Sequence, residues 1–254
     1  MTHVISPHSG NETIFLTHEE AITAVCIDLC QYTPQVELFR KLFPIIIGNH
    51  ASFREDPKKN GTWICIPPEG DEFFFSWKQV GAFLSDKLPS RSLSSGTLTK
   101  ICQTVFQTQV YPWTDISSET PGFRIETHME QFQCRQCGQC CLSLDYHREC
   151  TEDDFDVWRK LGRTDIMEWV GFEDDGGKNV PKYIWVYPGT NQFTKVCPWL
   201  KKIPNENKYI CRIHDVKPEI CRQYPGTRKH ALMTGCPGFN HSSCSSSDTF
   251  NRTP

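Results

Sequence analysis

The chain has 254 residues, enough for one large domain or two small ones with a proper core. Lys and Arg total 27 against 30 Asp and Glu, a net charge of -3 that argues against a general nucleic-acid or membrane-surface binder. The N-terminus shows no basic-then-apolar signal segment and the longest aliphatic run is Ile45, Ile46 and Ile47. The expectation is therefore no membrane span and a cytoplasmic protein, whose 14 cysteines serve as ligands and buried hydrophobes rather than disulfides.

Residues 1–123 read as a mixed α+β domain. Thr17 and Glu20 have capping-box spacing, and Ile22, Val25, Cys26 and Leu29 follow on one helical face. Cys26 and Cys30 lie four apart, a spacing that suits a metal, but Cys26 continues an apolar stripe and reads as core. Thr33 and Pro34 predict a second helix ending near Phe43, ahead of Pro44. Thr62 to Ile66 and Glu72 to Trp77, separated by Pro-Pro-Glu-Gly-Asp, predict a hairpin. Helices are expected over Trp77 to Leu88 and Thr97 to Phe106, with Cys65 and Cys102 as core residues. This order is that of a winged helix, yet residues 1–125 carry 10 basic and 13 acidic side chains and offer no basic reading face. No internal repeat is evident.

The Ser-Ser-Glu-Thr-Pro-Gly stretch within Thr114 to Phe123 marks the expected boundary. Residues 124–240 then read as a small, loop-rich domain with short helices, organised by metal, and the Ser-rich residues 241–254 as a disordered tail. Thr151 caps a helix whose first turn, Glu152, Asp153 and Asp154, suits the positive end of the helix dipole better than a hard metal. Phe155, Trp158 and Leu161 are expected to face inward, with Gly162 stopping the helix. Thr164 starts another that carries Ile166, Trp169 and Val170.

The chemistry lies in the cysteines. Cys134, Cys137, Cys140 and Cys141 form a C-x-x-C-x-x-C-C knuckle, followed by Cys197, Cys211, Cys221 and Cys236, each in its own short motif. Thiolates at C-x-x-C spacing can close on one metal, because the intervening turn brings both sulfurs to one side. Gly138 suits such a turn. Adjacent Cys140 and Cys141 tend to diverge, which points to two centres or to one cluster bridging both sulfurs. His214, three residues after Cys211, is a candidate ligand or a donor to a thiolate. His147 and Cys150 read as a loop histidine and a buried thiol, and Cys244 as an unengaged thiol in the tail.

The knuckle, Cys197-Pro-Trp-Leu, Cys211-Arg-Ile-His214 and Lys217-Pro-Glu-Ile-Cys221-Arg-Gln-Tyr-Pro225 resemble the YkgJ-like cysteine-cluster family, described as zinc- or iron-chelating, over about residues 130–240. The resemblance implies that Cys134, Cys137, Cys140, Cys141, Cys197, Cys211 and Cys221 are ligands, with Cys236 where some members carry a closing cysteine. Eight thiolates suit two Cys₄ zinc sites or two iron–sulfur cubanes. The C-x-x-C-x-x-C spacing is that of bacterial ferredoxins, but Cys141 follows at once, unlike the ferredoxin template. Lys195, Lys201, Lys202, Lys208, Arg212, Lys217, Arg222, Arg228 and Lys229 face only Glu206, Asp215 and Glu219 across that stretch. Their positive charge would offset a thiolate centre holding either metal. Tightly grouped cysteines in an aromatic-rich setting tilt the choice slightly towards an iron–sulfur cluster.

Three functional classes follow. The chain is read first as a metal-binding protein with metal ions as its partners. The alternatives are a metal-dependent redox or methyl-transfer enzyme and a zinc-stabilised module for a protein partner. No P-loop, Rossmann fingerprint or serine elbow is present. Flagellin lysine methylases resemble the family in carrying a similar knuckle, which is what keeps methyl transfer among the alternatives.

Overall fold

The computed structural model describes residues 12–66, 70–116, 119–142 and 149–240. The chain divides into two units between Glu130 and Gln131. The Thr114 to Phe123 stretch instead joins two strands of the first unit. Both units mix helices with small antiparallel sheets, the α+β class expected. Among the described residues, no helix is long and apolar enough to cross a membrane.

In the first unit, β1 (Thr13–Thr17) leads into α1 (His18–Gln31) through the expected capping box: Thr17 Oγ1 accepts from Glu20 N–H, and Glu20 accepts from Thr17 N–H. There follow α2 (Val36–Ile46), β2 (Ser52–Asp56) and β3 (Gly61–Cys65), then β4 (Glu72–Ser76), α3 (Trp77–Lys87), α4 (Ser95–Phe106), β5 (Val110–Thr114) and β6 (Pro121–Glu126). The predicted β3–β4 hairpin forms, and β2 joins it as a strand that the sequence reading missed. Helix α2 corrects two expectations. It starts at Val36, and it runs through Pro44, because Phe43, Ile46 and Ile47 bury themselves in the core. That burial outweighs the backbone bond lost at Pro44, which sits in the last turn.

The unit is built twice over. A shift of 59 residues (13 to 72, 18 to 77, 36 to 95) carries β1, α1 and α2 onto β4, α3 and α4. The buried pairs Ala21 and Val80, Val25 and Leu84, Leu29 and Leu88, Leu42 and Ile101, and Ile46 and Val105 all match at that shift. Both leading helices begin with a capping box, Thr17 with Glu20 and Ser76 with Gln79. The two sheets run β1-β6-β5 and β4-β3-β2 when matched strand for strand. Each sheet therefore joins the first strand of one copy to the last two of the other. The register agrees as well: Gly122 faces Thr17 as Gly61 faces Ser76, and Arg124 faces Phe15 as Trp63 faces Phe74. Both glycines are needed for the same reason, since a Cβ at Gly122 would meet the Phe15 ring at 2.7 Å and one at Gly61 the Phe74 ring at 2.6 Å. Cys26 donates its S–H to the carbonyl of Ser85, its own counterpart, at 3.4 Å. This corrects the reading that no repeat exists: the copies share spacing and residue class with few identities.

In the second unit, α5 (Gln139–Leu142) ends the knuckle, and α6 (Glu152–Lys160) and α7 (Thr164–Met167) precede a hairpin of β7 (Val170–Asp175) and β8 (Lys178–Ile184). A second, short pair consists of β9 (Leu200–Lys202) and β10 (Tyr209–Cys211), with α8 (Glu219–Gln223) and α9 (Arg228–Met233) following. Its core gathers Trp158, Ile166, Ile184, Trp185, Trp199 and Ile213. Leu161 is exposed rather than inward, because α6 ends at Lys160 and Gly162 turns the chain at φ 65°. Val170 belongs to β7 and not to the helix started by Thr164. Residues 241–254 and His147 lie outside the described residues.

Candidate metal centre

The knuckle is shaped by Gly138 and tied to two distant segments. Gly138 adopts φ 72°, and a Cβ there would meet the Tyr209 ring at 2.8 Å, so only glycine fits. Tyr209 N–H donates to Gln136 O at 2.8 Å, which lays β10, and with it Cys211, beside the knuckle. Cys197 N–H donates to Cys141 O at 3.0 Å, which delivers Cys197. Gln133 N–H donates to Gly238 O at 2.9 Å, and the Phe132 and Phe239 rings meet at 5.4 Å, which returns the Cys236 segment to the same neighbourhood. Four motifs separated in sequence are thereby collected by backbone bonds.

The sulfurs follow the backbone. Cys140 Sγ and Cys141 Sγ stand 3.8 Å apart, and Cys141 also shares a hydrogen bond with Cys197. The Cys141 thiol, bonded to both neighbours and buried, is pushed well above the ordinary cysteine range. Its hydrogen bond in turn lowers Cys140 to about 7, assisted by the Lys217 ammonium, and also lowers Cys197. Burial raises Cys221 to about 12, with the charges of Cys197, Cys140 and Cys211 adding to it. Cys211 is raised by burial and also feels Cys197 and Cys140. Cys236 is raised by burial, feels Cys137 and Cys140, and is bonded by Tyr224.

Of the eight predicted residues, Cys140 and Cys141 are in contact, Cys197 is bonded to Cys141, Cys211 and Cys221 lie near enough to feel Cys197 and Cys140, and Cys236 feels Cys137 and Cys140. Cys134 is exposed. Cys150 is buried beside Trp158 in the core and His214 is exposed. In the first unit Cys102 is fully buried, whereas Cys26 is half-buried and Cys30 exposed on α1. Every cysteine among the described residues is a free thiol. Among those residues no group of three or more His, Cys, Asp or Glu side chains is placed to hold a metal ion. What the site does offer is two sulfurs in contact and the Lys217 ammonium near Cys140. Trp199, two residues beyond Cys197, buries an indole N–H that finds no acceptor among the described residues.

Two residues outside the cysteine pattern shape the site. Asp154, which the sequence assigned only to its own helix, is 2% exposed, and its Oδ1 accepts from Glu219 N–H at 2.9 Å and Arg222 at 3.3 Å. Trp158 Nε1–H donates to Val216 O at 2.7 Å. Both hold the segment that carries Lys217 and Cys221. The N-cap at Thr151 with its acidic first turn was the available signal, and it placed Asp154 in its own helix without its distant partners.

Residues 133–238 match the model of the CxxCxxCC family, described as a "Putative zinc- or iron-chelating domain". The match spans all eight cysteines, and it is this segment that is similar to the family. No curated protein and no solved structure matches the chain.

Proposed function

We propose that residues 131–240 form a thiolate metal-binding unit, with Cys140, Cys141, Cys197, Cys211 and Cys221 supplying its principal ligands and Cys137, Cys236 and Cys134 completing it. The observation that carries this reading is the contact between Cys140 and Cys141 with Cys197 bonded to it, three sulfurs from two distant segments. A packed apolar core has no need of sulfurs gathered against one another beside an ammonium, whereas a thiophilic cation does. The metal is zinc or iron, the latter as an iron–sulfur cluster. Bound zinc would cross-link the segments, and a cluster would also exchange electrons. The residues of the chain bind through sulfur, exclude water by burying Cys221, and offset negative charge with Lys217.

The test is the metal content and absorption spectrum of the chain purified without oxygen. Iron with acid-labile sulfide and a visible charge-transfer band would identify the cluster. A colourless protein with bound zinc would identify closed structural sites. Protein that binds neither would end the proposal.

A further inference from the structure

Asp154 has a local role at the third position of a capping box, where its Oδ2 accepts from Thr151 N–H at 3.4 Å. Its other oxygen reaches 65 residues along the chain, to the N–H of Glu219, the first residue of α8. That N–H has no intrahelical acceptor, so a buried carboxylate satisfies it at the point where α8 starts. Arg222 in the same helix reaches Asp154 and also donates to Lys217 O at 2.6 Å. Trp158, one turn along α6, grips Val216 O from the same side. Helix α6 therefore holds the segment 216–222 at both ends. Between Glu219 and Arg222 lies Cys221, whose thiol is raised by burial and lies near enough to Cys197, Cys140 and Cys211 to be raised by their charges as well.

We infer that Asp154 is the positioning residue for Cys221: its buried carboxylate sets the start of α8 and so aims this thiol at the other sulfurs. The inference rests on the metal-binding reading and goes beyond it, since a four-residue separation from Cys150 and an acidic first turn identify nothing of this role. Two properties of the geometry support it. A helix of five residues has too few internal bonds to hold its own orientation, so an external anchor decides where its side chains point. Burial of the carboxylate makes its loss costly, because the Glu219 N–H would be left without its acceptor.

The experiment is a Co(II) titration of the metal-free full-length chain, reading the thiolate-to-cobalt charge-transfer absorption at saturation. General destabilisation would weaken cobalt binding without changing the saturated spectrum. Mispositioning of Cys221 instead removes one thiolate's share of it. Asp154→Ala is expected to show that loss, to match Cys221→Ser, and to add nothing to it in the double variant. Glu219→Pro tests the same bond from its other end. Proline is tolerated at the first position of a helix and removes the N–H that Asp154 accepts, together with the Glu219 carboxylate that accepts from Gln223 Nε2 at 2.8 Å. Glu219→Ala loses only the carboxylate and should keep the full spectrum, so a loss in Glu219→Pro alone reports the bond to Asp154. A full saturated spectrum in Glu219→Pro, or additive losses in Asp154→Ala/Cys221→Ser, would overturn the inference while leaving the metal site intact. Absence of the charge-transfer band in the unaltered protein would instead overturn the metal-binding reading, and this role with it.

Discussion

Among the described residues, 21 buried apolar side chains make one continuous core in the N-terminal unit, whereas nine make the core of the C-terminal unit. The first is held by doubled helix packing and two sheets that exchange strands between the copies. The second has short helices, two-stranded ribbons, and thiols gathered by single backbone bonds. The difference teaches where each obtains its stability. Each fully buried aliphatic or aromatic side chain contributes about 1.5–3 kcal/mol, so the first unit has its driving force in its own sequence. The second has little of that and a set of sulfurs instead, and metal-binding energy in such a unit is folding energy.

The comparison breaks most easily on metal removal. A structural zinc contributes about 10–16 kcal/mol in small metal-organised domains, so a strong chelator should abolish hydrogen-exchange protection across residues 150–240 while residues 12–126 keep theirs. Equal protection in both units would mean that the second folds without metal. Cys137→Ser or Cys140→Ser should do the same through one ligand, with bound metal lost on elemental analysis, whereas Cys26→Ala should leave metal content unchanged. Retained metal in both serine variants would remove the knuckle from the site.

The converse substitution lies in the first unit. Leu42→Ala, at a fully buried position, should cost about 2–5 kcal/mol in denaturant unfolding and leave the metal content as it was. A drop in metal content would tie the two units energetically. A smaller effect sharpens the duplication: Thr17→Ala, which removes the acceptor of the Glu20 N–H, should cost about 1 kcal/mol. Ser76→Ala should cost less, because the Ser76 hydroxyl donates to Gln79 Oε1 instead; equal losses would show that the two caps work alike.

The smallest effect is a pH difference between the copies. The N–H and hydroxyl of Thr17 hold the Glu20 carboxyl below its ordinary value of 4.5. A folded value below the unfolded one means the stabilisation is complete above 4.5 and fades as pH falls through that value towards the lower folded one. Gln79 occupies the matching position in α3 and does not titrate in this range. Glu20→Gln should therefore flatten the acid limb of the melting-temperature profile, and an unchanged limb would assign acid sensitivity elsewhere.

Local chemistry was the legible part of this chain. Thr17 with Glu20, Thr151 with its acidic turn, the β3–β4 hairpin and the knuckle with its Gly138 turn could all be read from neighbours, because a cap, a tight turn or a C-x-x-C step is decided within a few residues. The duplication was not legible, since equivalent positions such as Val25 and Leu84 or Phe43 and Cys102 keep burial rather than identity. Nor was Pro44 inside α2, where tertiary burial overrode a strong local signal.

The sequence by itself determined that the grouped cysteines lie in residues 134–236, that capped helices start after Thr17 and Thr151, and that the first half is an α+β domain. Only the tertiary structure decided which thiols meet, that β1 lies against β6, and that Asp154 serves α8. The physical reason is the same in each case. Pairing across more than 50 residues depends on hydrogen bonds from a backbone N–H, such as Cys197 to the Cys141 carbonyl and Glu219 to the Asp154 carboxylate, and no local pattern encodes the partner of an N–H that far away.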